Sequence, residues 1–252
     1  MKKTDSCNLP AIAACAIVSI LPVNAAAQPT GNAIMSKTGA VYSHAHTLSQ
    51  DWAATMGFGK MHMSMSILIR QEGIKSHVDM TTQVKMPGKI NGQNPYAHGI
   101  KTEMVSNGKD IAVYVPMNNS YTITPIPNSG PARQAMLSQT SGMVPNMAHL
   151  DGKFTLIKTG MVGKTPVWEV SYKANKGAKI PMVFYVNRAN YHIKQITSSV
   201  PTPMGTTQVV MTLLSEKINP HLPASLFVFV PPKGAHKSSM GMMGMPGAGG
   251  PR

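Results

Sequence analysis

Residues 61–69 read MHMSMSILI, a segment in which apolar and polar side chains alternate almost without exception. The odd positions are all apolar: Met61, Met63, Met65, Ile67 and Ile69. Successive side chains of a strand point to opposite faces, so this period of two predicts a half-buried β-strand. Glu72-Gly73 follows as a turn, and the alternation resumes at Ile74, which predicts a second strand.

Further strand candidates follow on the C-terminal side at intervals typical of hairpins. Asn107-Gly108 is a strong signal for a tight hairpin turn between two of them. The predicted strands cover residues 61–69, 74–86, 96–105, 111–115, 120–124, 153–159, 166–172, 181–186, 191–198, 206–216 and 226–230. Roughly ten antiparallel strands in one domain predict a mainly β fold that is a barrel, an open half-barrel or a sandwich.

Two segments lack the strand period. Residues 34–56 have loosely spaced apolar positions that predict one amphipathic helix, interrupted near Gly39. Residues 131–150 contain Gly142 and Pro145 and predict a short helix and loop packed against the sheet. We therefore expect a sheet that carries an N-terminal helix and a second, shorter one.

The composition agrees with a folded chain that is rich in sheet. Of 252 residues, 42% are hydrophobic, which is enough for a core, while only 13% are charged. The 22 glycines and 20 prolines argue against a long coiled coil or a helical bundle.

The N-terminus has the pattern of a secretory signal peptide. A basic start at Lys2 and Lys3 precedes an apolar run at residues 9–23 and small residues up to Ala27. We therefore expect residues 1–27 to be cleaved off, a periplasmic domain at residues 28–233, and a mobile tail rich in Met, Gly and Pro at residues 234–252. Both cysteines lie in the leader, so the exported chain has no disulfide. Cys15 resembles a lipidation site, but the short apolar stretch before it favours cleavage near Ala27 instead.

Motifs for catalysis are missing from the sequence. The carboxylates after residue 27 form no close pair suited to acid and base catalysis. The chain contains no G-x-S-x-G, no P-loop, no Rossmann glycine pattern and no HExxH. We therefore expect a protein that is not an enzyme and has no cofactor.

Methionine is the compositional anomaly, at 21 residues, and three interpretations remain open. Met can replace Leu and Phe as an adaptable core residue, or it can form a flexible wall around acyl chains of varying shape. In a third interpretation, the C-terminal thioethers bind Cu(I), which soft ligands prefer. The residues of that candidate metal site are Met240, Met242, Met243 and Met245.

The formal net charge of +14 also has two interpretations. A basic surface attracts anionic lipid headgroups, or it simply keeps the protein soluble. Lys and Arg are spread along the chain without a run of four, and aromatic residues are not interleaved with them as in a single-strand binding face. We therefore expect no nucleic-acid partner, and we leave peripheral contact with a membrane open.

Three motifs resemble the periplasmic outer-membrane lipoprotein carriers and their LolA/LolB-like relatives. The first is VKMPGK at residues 84–89, and the second is SNGKDIAVYVP at residues 106–116, followed by NSYTITP at residues 119–125. The third and most specific is INPHLPASLFVFVPPKG at residues 218–234. Met86 stands where such carriers often have an Arg that holds the lid closed, so the resemblance is that of a divergent member.

The resemblance implies an open antiparallel half-barrel around an apolar cavity, with helices as a lid and acyl chains of lipoproteins or free lipid as cargo. It also implies a monomer that exchanges cargo with lipoprotein-transfer proteins of the inner or outer membrane. A lipid-sensing regulator of the same shape is the alternative to a carrier. On the lid we expect Met136, Leu137, Met143 and Met147. As cavity lining we expect Met61, Met63, Met65, Ile67, Ile69, Val113, Val115, Phe184 and Val186.

Overall fold

The computed structural model describes residues 28–58, 61–85, 99–140, 152–175, 180–202 and 205–238. Two α-helices, α1 (Gly31–Ser43) and α2 (Gly130–Thr140), and two 3₁₀ turns, Pro116–Asn118 and Ala224–Phe227, accompany the strands. The strands are β1 (Thr47–Phe58), β2 (Met61–Glu72), β3 (Lys75–Lys85), β4 (Ile100–Ser106), β5 (Asp110–Val115), β6 (Ser120–Pro125), β7 (Gly152–Val162), β8 (Thr165–Ala174), β9 (Met182–Asn187), β10 (Ile193–Thr202), β11 (Gly205–Ile218) and β12 (His236–Lys237).

All twelve strands belong to one open sheet, in the order β12-β6-β5-β4-β3-β2-β1-β11-β10-β9-β8-β7. Each pairing is antiparallel except that of β12 with β6. β1 pairs with both β2 and β11 and so joins the N-terminal strands to the C-terminal ones. The prediction of a mainly β, open half-barrel with few helices is confirmed.

The turns follow the chemistry of their residues. Gly73 has φ +57° in the turn between β2 and β3, and Gly108 has φ +88° between β4 and β5. The Asn107 side-chain oxygen accepts hydrogen bonds from the backbone amides of Lys109 and Asp110, both at 2.8 Å. Both hairpin predictions are therefore confirmed, since glycine and Asn tolerate these conformations.

The prediction of one helix over residues 34–56 is wrong in its second half. Helix α1 ends at Ser43 and strand β1 begins at Thr47. Every second residue of β1 is buried, namely Leu48, Gln50, Trp52 and Ala54. This alternation is hard to recognise because one buried residue is polar and another is only a methyl group.

The strand predicted at residues 226–230 is also absent, because this segment crosses the outside of the sheet instead of joining it. Its residues still alternate: Phe227 is 2% exposed, whereas Val228 and Val230 are 61% and 74% exposed. We call residues 219–238 the C-terminal strap. The Phe229 ring lies against the rings of Tyr114 and Tyr121, at centroid distances of 6.4 and 5.5 Å.

Helix α1 packs one apolar stripe onto the sheet. The Thr30 side chain caps the helix by accepting a hydrogen bond from the Ala33 amide at 3.2 Å. Gly31 lies so close to β7 that a Cβ there would sit 2.7 Å from the Leu156 nitrogen, so only glycine fits. The buried residues follow the i, i+3, i+4, i+7 spacing of a helix face: Gly31, Ile34, Met35 and Thr38.

Several predictions fall outside the described residues. These are the leader at 1–27 with Cys15, the lid residues Met143 and Met147, and the methionines of the candidate Cu(I) site. The described chain runs to residue 238, past position 234 where the predicted tail begins, and forms β12 there. Neither helix of the described part is long and apolar enough to cross a bilayer.

Candidate functional site

All nine predicted lining residues lie on the same face of the sheet, which we call the inner face. Residues directly opposite each other in adjacent strands share a face. Met65 pairs with Ala54, Ala54 with Met211, Met211 with Ile196, and Ile196 with Phe184. The inner face of β2 therefore continues through β1, β11 and β10 to β9, where Val186 lies two residues beyond Phe184.

The same pairing extends the inner face in the other direction. Ile69 pairs with Val78, Val78 with Met104, and Met104 with Val113, with Val115 two residues further along β5. The pairing thus brings together side chains that lie more than one hundred residues apart in the sequence.

One half of the inner face is a packed core. Trp52, Phe184 and Val186 are completely buried in one hydrophobic cluster with Ile34 and Met35 of α1. Aromatic rings add to the packing on β7, β8 and β9, where Phe154, Tyr172 and Phe184 are in mutual contact. We call this the packed half.

Four of the predicted lining residues belong to this core: Ile67, Ile69, Phe184 and Val186, each no more than 2% exposed. With α1 in its present position, a guest molecule does not reach them. Their role as cavity lining stays a prediction that would require α1 to move.

The other half of the inner face carries methionines that are only half-buried. We call six of them the methionine wall: Met56, Met61, Met63, Met65, Met80 and Met104. Val113 and Val115 on β5 are half-buried as well. Met65 and Met80 pack against the core cluster, so the wall continues the packed half and offers apolar surface that the core does not fully enclose.

A cavity of about 480 Å³ opens where β1, β2, β3 and β11 come together, mostly on the face of the sheet opposite the wall. Small-molecule pockets commonly have volumes of about 300–1,000 Å³, so this size is adequate for a ligand. Seven of its nine lining residues occupy positions on that opposite face: Thr55, Gly57, His62, Ser64, Lys85, Gln208 and Val210. Met56 and Met63 complete the lining from the strands β1 and β2, although their own positions are on the inner face.

A second cavity of about 140 Å³ lies on the outer face, between the sheet and the C-terminal strap. Val105, Ala112 and Ile123 form its floor, and Phe227 and Phe229 are among the strap residues that line it. Its volume is below the usual range for small-molecule sites.

Helix α1 is tied to the sheet by buried polar groups. The Tyr42 hydroxyl accepts a hydrogen bond from the Ile193 amide at 3.0 Å, and it interacts with the Glu216 carboxylate. Burial is the main cause that raises the pKa of Tyr42 far above its ordinary value, with the nearby Glu216 charge adding to it. Glu216 also accepts hydrogen bonds from Gln50 and His192, so its carboxylate is well satisfied despite burial.

A charged cluster on the outer face secures the C-terminal strap. His77 bonds through Nδ1 to the Leu226 carbonyl at 2.8 Å and through Nε2 to Asp79 at 3.2 Å. The hydrogen bond with Asp79 is the largest cause that raises the pKa of His77, and the same bond lowers the pKa of Asp79. Arg70 pairs with the other Asp79 oxygen at 3.0 Å.

Two of the four predicted lid residues lie in the part of the chain that the structure describes. Met136 and Leu137 are half-buried on α2, which lies against β3 and β4, close to the strands that carry the wall. Arg133 anchors this helix by donating to the Pro127 carbonyl at 3.0 Å. The role of these residues as a lid stays a prediction.

Sequence reasoning missed three residues of the wall. Met56, Met80 and Met104 lie on β1, β3 and β4 and share the inner face with Met63, Ile67 and Val78. The alternation around Met80 is visible in the sequence, but only the pairing of strands shows which of its two faces adjoins the β2 methionines. Among the described residues, no group of three or more His, Cys, Asp or Glu side chains is placed to hold a metal ion.

No family model matches this chain. No curated protein matches it either. Solved structures that are similar include an uncharacterized conserved protein from Thermus thermophilus, with 12% identity and a TM-score of 0.46 over 81% of this chain and 96% of that one. A LolA superfamily protein from Nitrosomonas europaea has 11% identity and a TM-score of 0.35 over 80% of this chain and 99% of that one.

The Mycobacterium tuberculosis lipoprotein LppX is also similar, with 8% identity and a TM-score of 0.42 over 77% of this chain and 98% of that one. The family that the three sequence motifs resemble is thus among the names of similar structures.

Proposed function

We propose that this chain is a non-enzymatic binding protein of the cell envelope that shelters acyl chains of lipids or lipoproteins against the methionine wall. The observation that carries the proposal is the wall of six partly exposed methionines that strand pairing brings together on the inner face. A folded protein gains stability by burying such side chains, so a wall left half-buried is suited to a guest.

The energetics favour an acyl chain. Each methylene removed from water contributes about 0.8 kcal/mol, so about ten methylenes contribute about 8 kcal/mol before the cost of association. That gross value corresponds to a dissociation constant of about 1 μM. Unbranched thioether side chains adapt to guests of different shape, which suits cargo with varied acyl chains.

The proposed site consists of a wall and a cover. Met63 and Met56 are directly paired across β2 and β1 and supply thioether contacts at one end of the wall. Helix α2, with Met136 and Leu137, is the proposed cover beside β3 and β4. Release of cargo to a transfer protein or a membrane would then require α2 to move.

Equilibrium binding of a dansyl-labelled fatty acid to the purified, delipidated protein tests the proposal. We expect saturable binding at micromolar concentrations. Met63→Asp should abolish it, because a carboxylate on the wall is unfavourable beside an acyl chain. Native mass spectrometry of the exported protein should in addition show a lipid adduct.

Met161→Asp is the matched control for this experiment. Met161 lies on the edge strand β7 and is 60% exposed, so the same change there should leave both fold and binding intact. Failure of the well-folded wild-type protein to take up any acylated probe would contradict the proposal. Equal loss of binding in both variants would show that the methionine wall is not the site.

A further inference from the structure

The six methionines of the wall form an apolar surface, and their sulfur atoms are also open to oxidation. Met sulfur is readily oxidised where solvent reaches it, and all residues of the methionine wall retain partial exposure. Met35 and Met211, on the packed half, are 4% and 9% exposed. Met35 of α1 is therefore shielded from an oxidant, whereas the methionines of the wall are open to one.

From this contrast we propose that the methionine wall is an oxidation site that switches ligand binding off, an inference that rests on the proposed function. The reagent is a small peroxide such as hydrogen peroxide. One oxygen atom passes from the peroxide to the Met sulfur, which is oxidised to the sulfoxide, and the peroxide is reduced to water. Methionine sulfoxide reductases reverse this reaction.

The position of Met56 and Met63 makes the effect specific. They are directly paired across β1 and β2, and both lie on the inner face that carries the wall. A sulfoxide oxygen on either residue is a strong hydrogen-bond acceptor, and an acyl chain offers it no donor. Burying such a group against hydrocarbon is unfavourable, so the oxidised wall should favour water over the ligand.

The fold itself should tolerate the change. The wall residues are already half in contact with water, so their sulfoxides remain hydrated when no ligand is present. The packed half keeps Met35 and Met211 out of reach, and α1 with its buried contacts stays in place. Oxidation should therefore affect binding before it affects stability.

The test uses the full exported chain, treated with hydrogen peroxide and then freed of it before titration with a dansyl-labelled fatty acid. Peptide mass spectrometry should show sulfoxide at Met56 and Met63 and none at Met35. At that stage we expect binding to weaken at least about tenfold while the circular dichroism melting curve is retained. Treatment with MsrA and MsrB should restore binding.

Variants with leucine in place of methionine distinguish the effect of oxidation in the wall from the effect of oxidation elsewhere in the chain. Met56→Leu/Met63→Leu keeps the apolar character at these two positions, and peroxide should weaken its affinity, measured against the same untreated variant, less than it weakens that of the wild type. The control Met117→Leu/Met161→Leu removes two methionines that are 66% and 60% exposed away from the wall, and it should remain as sensitive as the wild type.

The outcomes are distinct. If the untreated protein binds and the protein with a fully oxidised wall binds equally well, this inference fails and the proposed function stands. Equal loss of binding in the Met56→Leu/Met63→Leu variant after peroxide would also overturn it. If the untreated protein takes up no probe, the proposed function fails and this inference fails with it.

Discussion

The two halves of the inner face are built from strands with a similar alternation of apolar residues, but their side chains differ in burial. In the packed half, α1 supplies Ile34 and Met35 to a cluster in which Trp52 and Phe184 are completely buried. In the methionine half, the methionines of β2, β3 and β4 stay half-buried. The difference shows that coverage by a helix, rather than the alternation within a strand, decides whether an apolar face becomes core.

Different segments of the chain pack against the two halves of the sheet. The packed half is covered on its inner face by α1, which buried polar groups attach to β10 and β11. Behind the methionine half, the C-terminal strap packs Phe227 against the outer face, and His77 holds it through the Leu226 carbonyl. Because the strap supports these strands from the outer face, the inner surface of the wall stays available to a ligand.

The largest effect is expected when a methionine is truncated to alanine, and the loss of stability should differ between the two halves. Met35→Ala should cost about 2–5 kcal/mol of unfolding free energy, because it leaves a cavity in a close-packed core. Met63→Ala should cost clearly less, because its side chain is only partly buried in the absence of a ligand. Urea denaturation of the two variants measures both values, and equal costs would mean that the halves do not differ as described.

A smaller effect is expected where α1 is attached. Tyr42→Phe removes the hydroxyl that accepts from Ile193 and interacts with Glu216, leaving two buried polar groups without that partner. The cost should be about 1–3 kcal/mol. Hydrogen exchange should show faster opening of α1 with the methionine half unchanged, whereas uniform acceleration over the sheet would refute an anchoring role for Tyr42.

The smallest effect concerns the brace behind the methionine half. The folded pKa of His77 is raised, so its stabilisation is complete below the unfolded value of about 6.5 and is lost as the pH rises through the folded pKa. The folded pKa of Asp79 is lowered, so its contribution exists above about pH 3.9 and is lost as the pH falls through the folded value.

The variant His77→Gln should therefore differ most from the wild type near about pH 5–6 and progressively less above it. The difference should stay below about 1 kcal/mol, since the Asp79 side chain is 47% exposed and its charge is screened by solvent. Chemical denaturation at a series of pH values checks this. A difference that does not vary with pH would rule out the ion pair as its source.

Much of the fold could be predicted from the sequence, and the errors have physical reasons. The alternation of β2 and the Asn107-Gly108 hairpin depend on residues that are close together in the sequence. The structure confirms both predictions. The sequence of β1 does not look like a strand because Gln50, a polar residue, occupies a buried position that only its hydrogen bonds to Trp52 and Glu216 make favourable. The strap does look like a strand because Phe227 and Phe229 alternate with Val228, as they would in a sheet.

The site could be predicted only in part. Sequence alternation identifies the β2 methionines as members of one apolar face, and the pairing of strands places Val113 and Phe184 on that same face. Coverage by α1 depends on contacts between residues far apart in the chain, and no local pattern reports it. For this reason the sequence alone groups Ile67 and Phe184 with Met63, although the structure separates core from wall.

The central claim is that an apolar guest contacts the methionine wall and not the packed half. Methyl NMR of protein labelled at the methionine methyl groups, titrated with a saturated fatty acid, tests it directly, with single Met→Leu variants for assignment. We predict that the resonances of Met56, Met63 and Met65 shift while those of Met35 and Met211 do not. Unmoved wall resonances at saturating ligand, or shifts confined to the surface residues Met117 and Met161, would contradict the account.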